Sequence, residues 1–247
     1  MMRLYPNIIG HRGAGRLAPE NTLAAMRVAA RYGIEMVEYD VALSRDGIPI
    51  LLHDQNIART STGSGNADDM TLAELARFDF GSWHSSEYAG EPIATLYSIA
   101  AFTRQDNIRS NIEIKPQPGR EALTGKVVAS TAALLWQNAP SPVLSSFSEI
   151  ALEAAMASAP ELPRALLLEG PLNPDWQERA DTLGCVALHL QQEHIDRATI
   201  KVVRDKGYRI AAWTVNDVAR ARELLRWGCD GLFTDAIHAL PPALRLL

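Results

Sequence analysis

The chain has 247 residues, 47% of them hydrophobic and 21% charged, with a formal net charge of −5 and two cysteines. That balance fits a globular protein with ample core. It argues against a basic nucleic-acid-binding stripe or a polybasic membrane patch, and the distant Cys185 and Cys229 read as buried thiols in a reducing compartment.

Apolar runs that end in polar residues predict strands at 7–11, 35–43, 109–115, 142–147, 164–168, 185–190, 208–214 and 230–234, each but the last followed by a helical pattern. Eight β/α units in a chain close to the ~250 residues usual for the fold predict a (β/α)8 TIM barrel, with 1–247 forming a single domain. Glycine closes several helical segments just ahead of a strand, at Gly33, Gly184, Gly207 and Gly228, where a left-handed C-cap suits an α-to-β junction. Asn21, Ser148 and Asn216 stand at expected N-cap positions.

A ninth run, Pro49 to His53, follows the second strand across only Ser44-Arg45-Asp46-Gly47, too short for a crossover helix. Asp-Gly between two strand-like runs signals a hairpin, so this run extends strand two and sets His53 across from Tyr39 and Asp40, next to Glu38. Residues 54–94 break the β/α rhythm and are expected as an ordered insertion that caps one side of a site. No apolar run approaches the roughly 18 residues of a membrane span, and no stable membrane association is expected. With polar site residues starting at His11, no cleavable leader is expected either, and the cytosol is the expected compartment.

The chemistry lies where polar residues close or interrupt these apolar runs. Glu38 and Asp40, two apart on one strand, share a face, and Glu113 arrives from the next barrel strand. Three converging carboxylates repel one another unless a cation lies among them, and an all-oxygen set favours one divalent cation, Mg2+ or Ca2+. His11 and His53 are the acid–base candidates, since imidazole exchanges protons near neutral pH. Arg12 and Lys115 supply positive charge for a phosphate. Ser145-Ser146-Phe147 and Trp213 close strands at the same rim and either line a pocket or pack; His189 has no visible partner, and His84, His194 and His238 read as surface residues. Together the set points to phosphodiester cleavage.

At these residues the chain resembles the glycerophosphodiester phosphodiesterase family, most closely its short cytosolic bacterial members. The resemblance rests on His11-Arg12-Gly13 with Pro19-Glu20-Asn21-Thr22, Glu38-x-Asp40 with Asp46-Gly47 and His53-Asp54, Glu113-Ile114-Lys115, Trp213-Thr214-Val215-Asn216 and Asp230 to Asp235. It implies hydrolysis of a small-molecule glycerophosphodiester to sn-glycerol 3-phosphate and an alcohol. It further implies His11 and His53 as acid and base, Glu38, Asp40 and Glu113 as metal ligands, Arg12 and Lys115 on phosphate, and Trp213 on glycerol. Tyr39, between two of the carboxylates, should point away from the site and tolerate variation. The alternatives are a lysophospholipid substrate cleaved at its headgroup, or a barrel that binds metal or phosphodiester without catalysis. Native metal, headgroup preference and oligomeric state are left open.

Overall fold

The computed structural model describes residues 3–244. In chain order the elements are β1 (Ile8–Gly10), α1 (Leu23–Arg31), β2 (Met36–Leu43), β3 (Pro49–Leu51), α2 (Leu72–Leu75), α3 (Leu96–Gln105), β4 (Arg109–Ile114), α4 (Glu121–Leu135), β5 (Val143–Ser146), α5 (Glu149–Ser158), β6 (Arg164–Leu168), α6 (Trp176–Thr182), β7 (Ala187–Gln191), α7 (Arg197–Asp205), β8 (Arg209–Trp213), α8 (Val218–Trp227), β9 (Gly231–Thr234) and α9 (Leu240–Leu244). The sheet runs β1-β9-β8-β7-β6-β5-β4-β2-β3, and β1 also pairs with β2 in parallel. That last pairing closes eight parallel strands into a (β/α)8 barrel and leaves β3 outside it, antiparallel on the end of β2. The fold is the predicted one, hairpin included.

Local chemistry sets the joints. The four expected junction glycines all adopt positive φ, between 57° and 101°. Ser148 caps α5 by accepting from Ala151 N. The two asparagines do not cap. Thr22 caps α1 and Asp217 caps α8, each one residue further on. Asn21 instead takes a left-handed backbone, φ 59°, which turns its side chain toward the barrel rim rather than along the helix.

Apolar side chains on the outer faces of the strands pack under the surrounding helices. Inside the barrel, Tyr5, Ile9, Met36, Val143, Ala165, Ala187, Ala211 and Phe233 fill the lower interior. His189, read as partnerless, is fully buried beside this layer; Tyr5 Oη lies 2.8 Å from its Nε2. Burial pushes the imidazole down to about 3, so it is neutral at ordinary pH. His194 and His238 are exposed, whereas His84 is half-buried with Nε2 3.0 Å from the Arg16 carbonyl.

Residues 54–94 are ordered into short helical turns over their own small core, in which Ile57, Ala67, Leu75, Phe80 and Ile93 meet Ala42, Ile50 and Leu52 of the hairpin. Glu91 ties this segment to the barrel by accepting from Ala24 N at 2.9 Å, and Tyr88 Oη donates to the Leu17 carbonyl at 3.2 Å. Among the described residues, no helix is long and apolar enough to cross a membrane.

Tyr39 does point away from the barrel interior, but the expected tolerance to variation is wrong. Its side chain is fully buried in the core beneath the helices, alongside Val37, Ile112 and Ile114. Tyr39→Ala should leave a large cavity and cost about 3–5 kcal/mol, the range for truncating a buried aromatic. Denaturant unfolding measures it, and a loss under about 1 kcal/mol would contradict this packing.

Candidate active site

Strand alternation places the carboxylates. On β2, Glu38 and Asp40 face the barrel interior while Tyr39 faces the helices. Parallel pairing of β2 with β4 sets Asp40 beside Glu113, and ligand atoms of Glu38, Asp40 and Glu113 all lie within 4.8 Å of one another. Leu52 N donates to the Asp40 carbonyl at 3.1 Å, extending the hairpin ladder so that His53 returns to the mouth of the site. The predicted residues His11, Arg12, Glu38, Asp40, His53, Glu113, Lys115 and Trp213 all line one cavity at the C-terminal ends of the strands.

Each polar member is held from a second direction. His11 Nδ1 lies 2.7 Å from Asp235 Oδ1, and its Nε2 is 4.0 Å from Glu38. Asn216 fixes Asp235 twice: its Nδ2 donates to Oδ2 at 3.1 Å, and its Oδ1 accepts from Asp235 N at 2.8 Å. His53 Nδ1 lies 2.7 Å from Asp54 Oδ1. In both cases a carboxylate on Nδ1 sets the tautomer and leaves Nε2 for chemistry. Arg12 N donates to Glu38 at 2.9 Å, its guanidinium bonds Glu20 at 2.7 Å, and its Nε approaches Asp40 at 3.5 Å. Asn21 brackets Asp40, donating to Oδ2 at 2.8 Å while accepting from the Asp40 amide at 3.0 Å. Lys115 bonds Glu113 at 3.0 Å.

The loop after β1 is built for these contacts. Arg12 has φ 50°, a left-handed conformation that costs a non-glycine residue on the order of 1–3 kcal/mol. It is held there by its own amide on Glu38 and by Asn21 N on its carbonyl, 3.1 Å away. Gly15, φ 56°, passes so close to Asp235 that a Cβ would lie 2.2 Å from that residue's Cα. The Gly13-Ala14-Gly15 run therefore seats the orienting carboxylate of His11.

Of the pocket-or-packing residues, Ser145, Phe147 and Trp213 line the cavity. Ser146 instead donates to the Ile114 carbonyl at 2.7 Å. Phe147 and Trp213 meet edge to face, centroids 5.6 Å apart, and Lys115 Nζ lies 5.7 Å from the Phe147 ring centre. Trp213 Nε1 is buried without a hydrogen-bond partner.

Burial and mutual repulsion dominate the electrostatics. Burial, then the charges of Asp40 and Glu113, push Glu38 up to about 8, against relief from His11 and the Arg12 amide. Burial and Asp40 likewise raise Glu113 to about 7, although Lys115 opposes them. Asp40 goes the other way: burial would raise it, but Arg12, His53, Lys115 and the Asn21 bond outweigh that and hold it below its usual value. Burial alone would lower His11, yet the Asp235 bond and Glu38 carry it above its ordinary value. His53 stays below, because burial with Arg12 and Lys115 outweighs Asp40 and Asp54. Two buried carboxyls raised this far, and an Oε1 of Glu38 left without any partner, suit a site that takes a divalent cation.

Fold and site together define a parallel (β/α)8 barrel carrying an acidic, histidine-flanked cavity at the rim. Residues 11–239 match the model of the glycerophosphoryl diester phosphodiesterase family, and the chain belongs to that family. A glycerophosphodiester phosphodiesterase of Caldanaerobacter subterraneus is 30% identical over 92% of this chain and 93% of its own. One from Bacillus subtilis is 27% identical over 92% of this chain and 82% of its own. The solved structure of an Oleispira antarctica phosphodiesterase, in complex with the product sn-glycerol-3-phosphate, superimposes with a TM-score of 0.93 at 37% identity, covering 97% of this chain and 96% of that one.

Carboxyls whose pKa is raised on folding bind more protons in the native state, so the stability of the metal-free protein is eroded as pH rises from their ordinary 4.5 through about 8. Glu38→Gln should therefore melt higher than the parent at pH 8 in chelator, with the difference vanishing below pH ~4.5. Added Mg2+ or Ca2+ should raise the parent's melting temperature more than the variant's. Equal responses of the two proteins to cation would count against these carboxylates as a metal site.

Proposed function

We propose that this chain hydrolyses glycerophosphodiesters to sn-glycerol 3-phosphate and an alcohol. The observation that carries the reading is a pair of histidines, each with a carboxylate on Nδ1, opening onto one cavity that also holds Arg12, Lys115 and three clustered carboxylates. The family and the product named in the Oleispira antarctica complex support the substrate class. We take 1–247 as one catalytic barrel with 54–94 as its insertion, and the two buried thiols suit a reducing, cytosolic setting.

In this reading Arg12 and Lys115 hold the phosphate and neutralise charge that builds on its oxygens as the attacking oxygen adds to phosphorus. The P–O bond to the leaving alcohol breaks as the other forms. His53, kept below its ordinary pKa, takes the proton of the nucleophile at Nε2. His11, kept above its own by Asp235 and Glu38, gives a proton to the departing alkoxide. Trp213, paired with Phe147, packs against the glycerol carbons. Glu38, Asp40 and Glu113 would hold one divalent cation, Mg2+ or Ca2+, which when bound neutralises charge on the phosphoryl oxygens.

Release of sn-glycerol 3-phosphate from glycerophosphocholine, with and without chelator, tests this directly. Turnover should depend on the cation and fall on the order of 100- to 10,000-fold in His11→Ala and in His53→Ala. Parental turnover in both variants would remove the acid–base assignment, and full activity in chelator would remove the metal.

A further inference from the structure

The two histidines use the same device, a carboxylate on Nδ1, but the carboxylates are anchored differently. Asp235 stands at the end of a barrel strand and is fixed at two points by Asn216. Asp54 stands beyond β3, outside the closed barrel, where its side chain is about one-third exposed. Its second oxygen is taken by Arg59, whose Nε donates to Oδ2 at 2.6 Å. The two terminal nitrogens of that guanidinium donate to the two oxygens of Glu20, each at 2.8 Å. Glu20 also accepts from Arg12 at 2.7 Å, so one carboxylate joins an arginine of the insertion to the arginine that lines the cavity.

We propose that Arg59 is a positioning residue: it holds Asp54, and through it the His53 imidazole, in working orientation and fastens both to the barrel rim at Glu20. The inference rests on the proton-transfer role proposed for His53. Arg59 is not one of the residues lining the cavity, and it acts only through its neighbours. An ordinary ion pair this exposed contributes little, typically about 0–1 kcal/mol. Here all three guanidinium nitrogens are engaged by two carboxylates in fixed planes, which restricts angle as well as distance. The backbone beneath is fixed too. Arg59 ends a helical turn whose Ile57 is fully buried in the insertion's core and whose Ala58 N–H is capped by Asn56. The insertion thus supplies for His53 what Asn216 supplies for His11.

A staple that merely tied down the surface would change melting temperature and leave turnover alone. The test is steady-state hydrolysis of glycerophosphocholine by the cation-loaded parent, Arg59→Ala, Arg59→Lys, His53→Ala and the Arg59→Ala/His53→Ala double variant, each checked for folding by thermal melting. Arg59→Ala should lower kcat about 10- to 100-fold with KM held within about twofold, since a small misplacement of a catalytic group costs on this scale. Lysine, which has no fork, should recover only part of the loss. In the His53→Ala background, Arg59→Ala should cost nothing further, because its effect passes through the missing imidazole. Proton NMR supplies a readout independent of turnover: the downfield Nδ1–H resonance that disappears in His53→Ala should also be lost in Arg59→Ala.

Parental kcat in a folded Arg59→Ala, or the same fractional loss with and without His53, would overturn the proposal. If His53→Ala itself turns over like the parent, the role of His53 fails and takes this inference with it. If His53→Ala is impaired while Arg59→Ala is not, the positioning role alone falls.

Discussion

Three carboxylates crowded at the mouth of a barrel are the constraint around which the rest of this site is arranged. Buried negative charges within 4.8 Å of one another repel strongly at low dielectric, and paired strands hold their backbones in place. Every polar neighbour answers that problem. Arg12 and Asn21 settle on Asp40, the Arg12 amide and His11 on Glu38, and Lys115 on Glu113. The compensation is unequal: Asp40 stays easily ionised while Glu38 and Glu113 do not. What remains is a deficit of positive charge in a cavity of fixed geometry, which is the condition for binding a hard cation. The left-handed backbone of Arg12 belongs to the same arrangement, since in that conformation its amide meets Glu38 while its side chain reaches Asp40 and Glu20.

The barrel itself makes such precision affordable. Strands paired on both sides cannot shift register without turning every inward residue outward, so Glu38, Asp40 and Glu113 are fixed by the same ladders that stabilise the sheet. His11 and Lys115 sit one residue beyond their strands, with backbone N–H groups still bonded to the neighbouring strand at 3.0 and 2.9 Å. His53 arrives by another route, on a hairpin, and the inserted segment supports both it, through Asp54 and Arg59, and Arg12, through Arg59 and Glu20.

Much of this was legible in the sequence because it depends on short-range rules. Alternation on the second strand places Glu38 and Asp40 together and Tyr39 opposite. The Asp46-Gly47 turn, with φ 78° at the glycine, returns His53 to the rim. Local rules also misled. Asparagine is a common N-cap, so Asn21 and Asn216 read as caps, whereas Thr22 and Asp217 cap and the asparagines hold carboxylates. Tyr39 looked expendable because facing away from a site says nothing about how tightly the other side is packed. The orienting shell was harder still. Asp235 meets His11 across 224 residues and Arg59 meets Glu20 across 39, separations at which residue spacing carries no signal. Asp54 and Asp235 were visible as members of the resemblance's motifs, but nothing in their spacing disclosed which atoms they hold.

The lower barrel, filled by Tyr5, Ile9, Met36 and Phe233, has a kinetic consequence. A cavity floored in this way is closed toward the lower barrel, so molecules enter and leave it from the rim at the C-terminal ends of the strands. A fragment lying deeper leaves past whatever occupies the rim. The plug that fills the lower barrel thereby makes entry and exit share one side of the molecule.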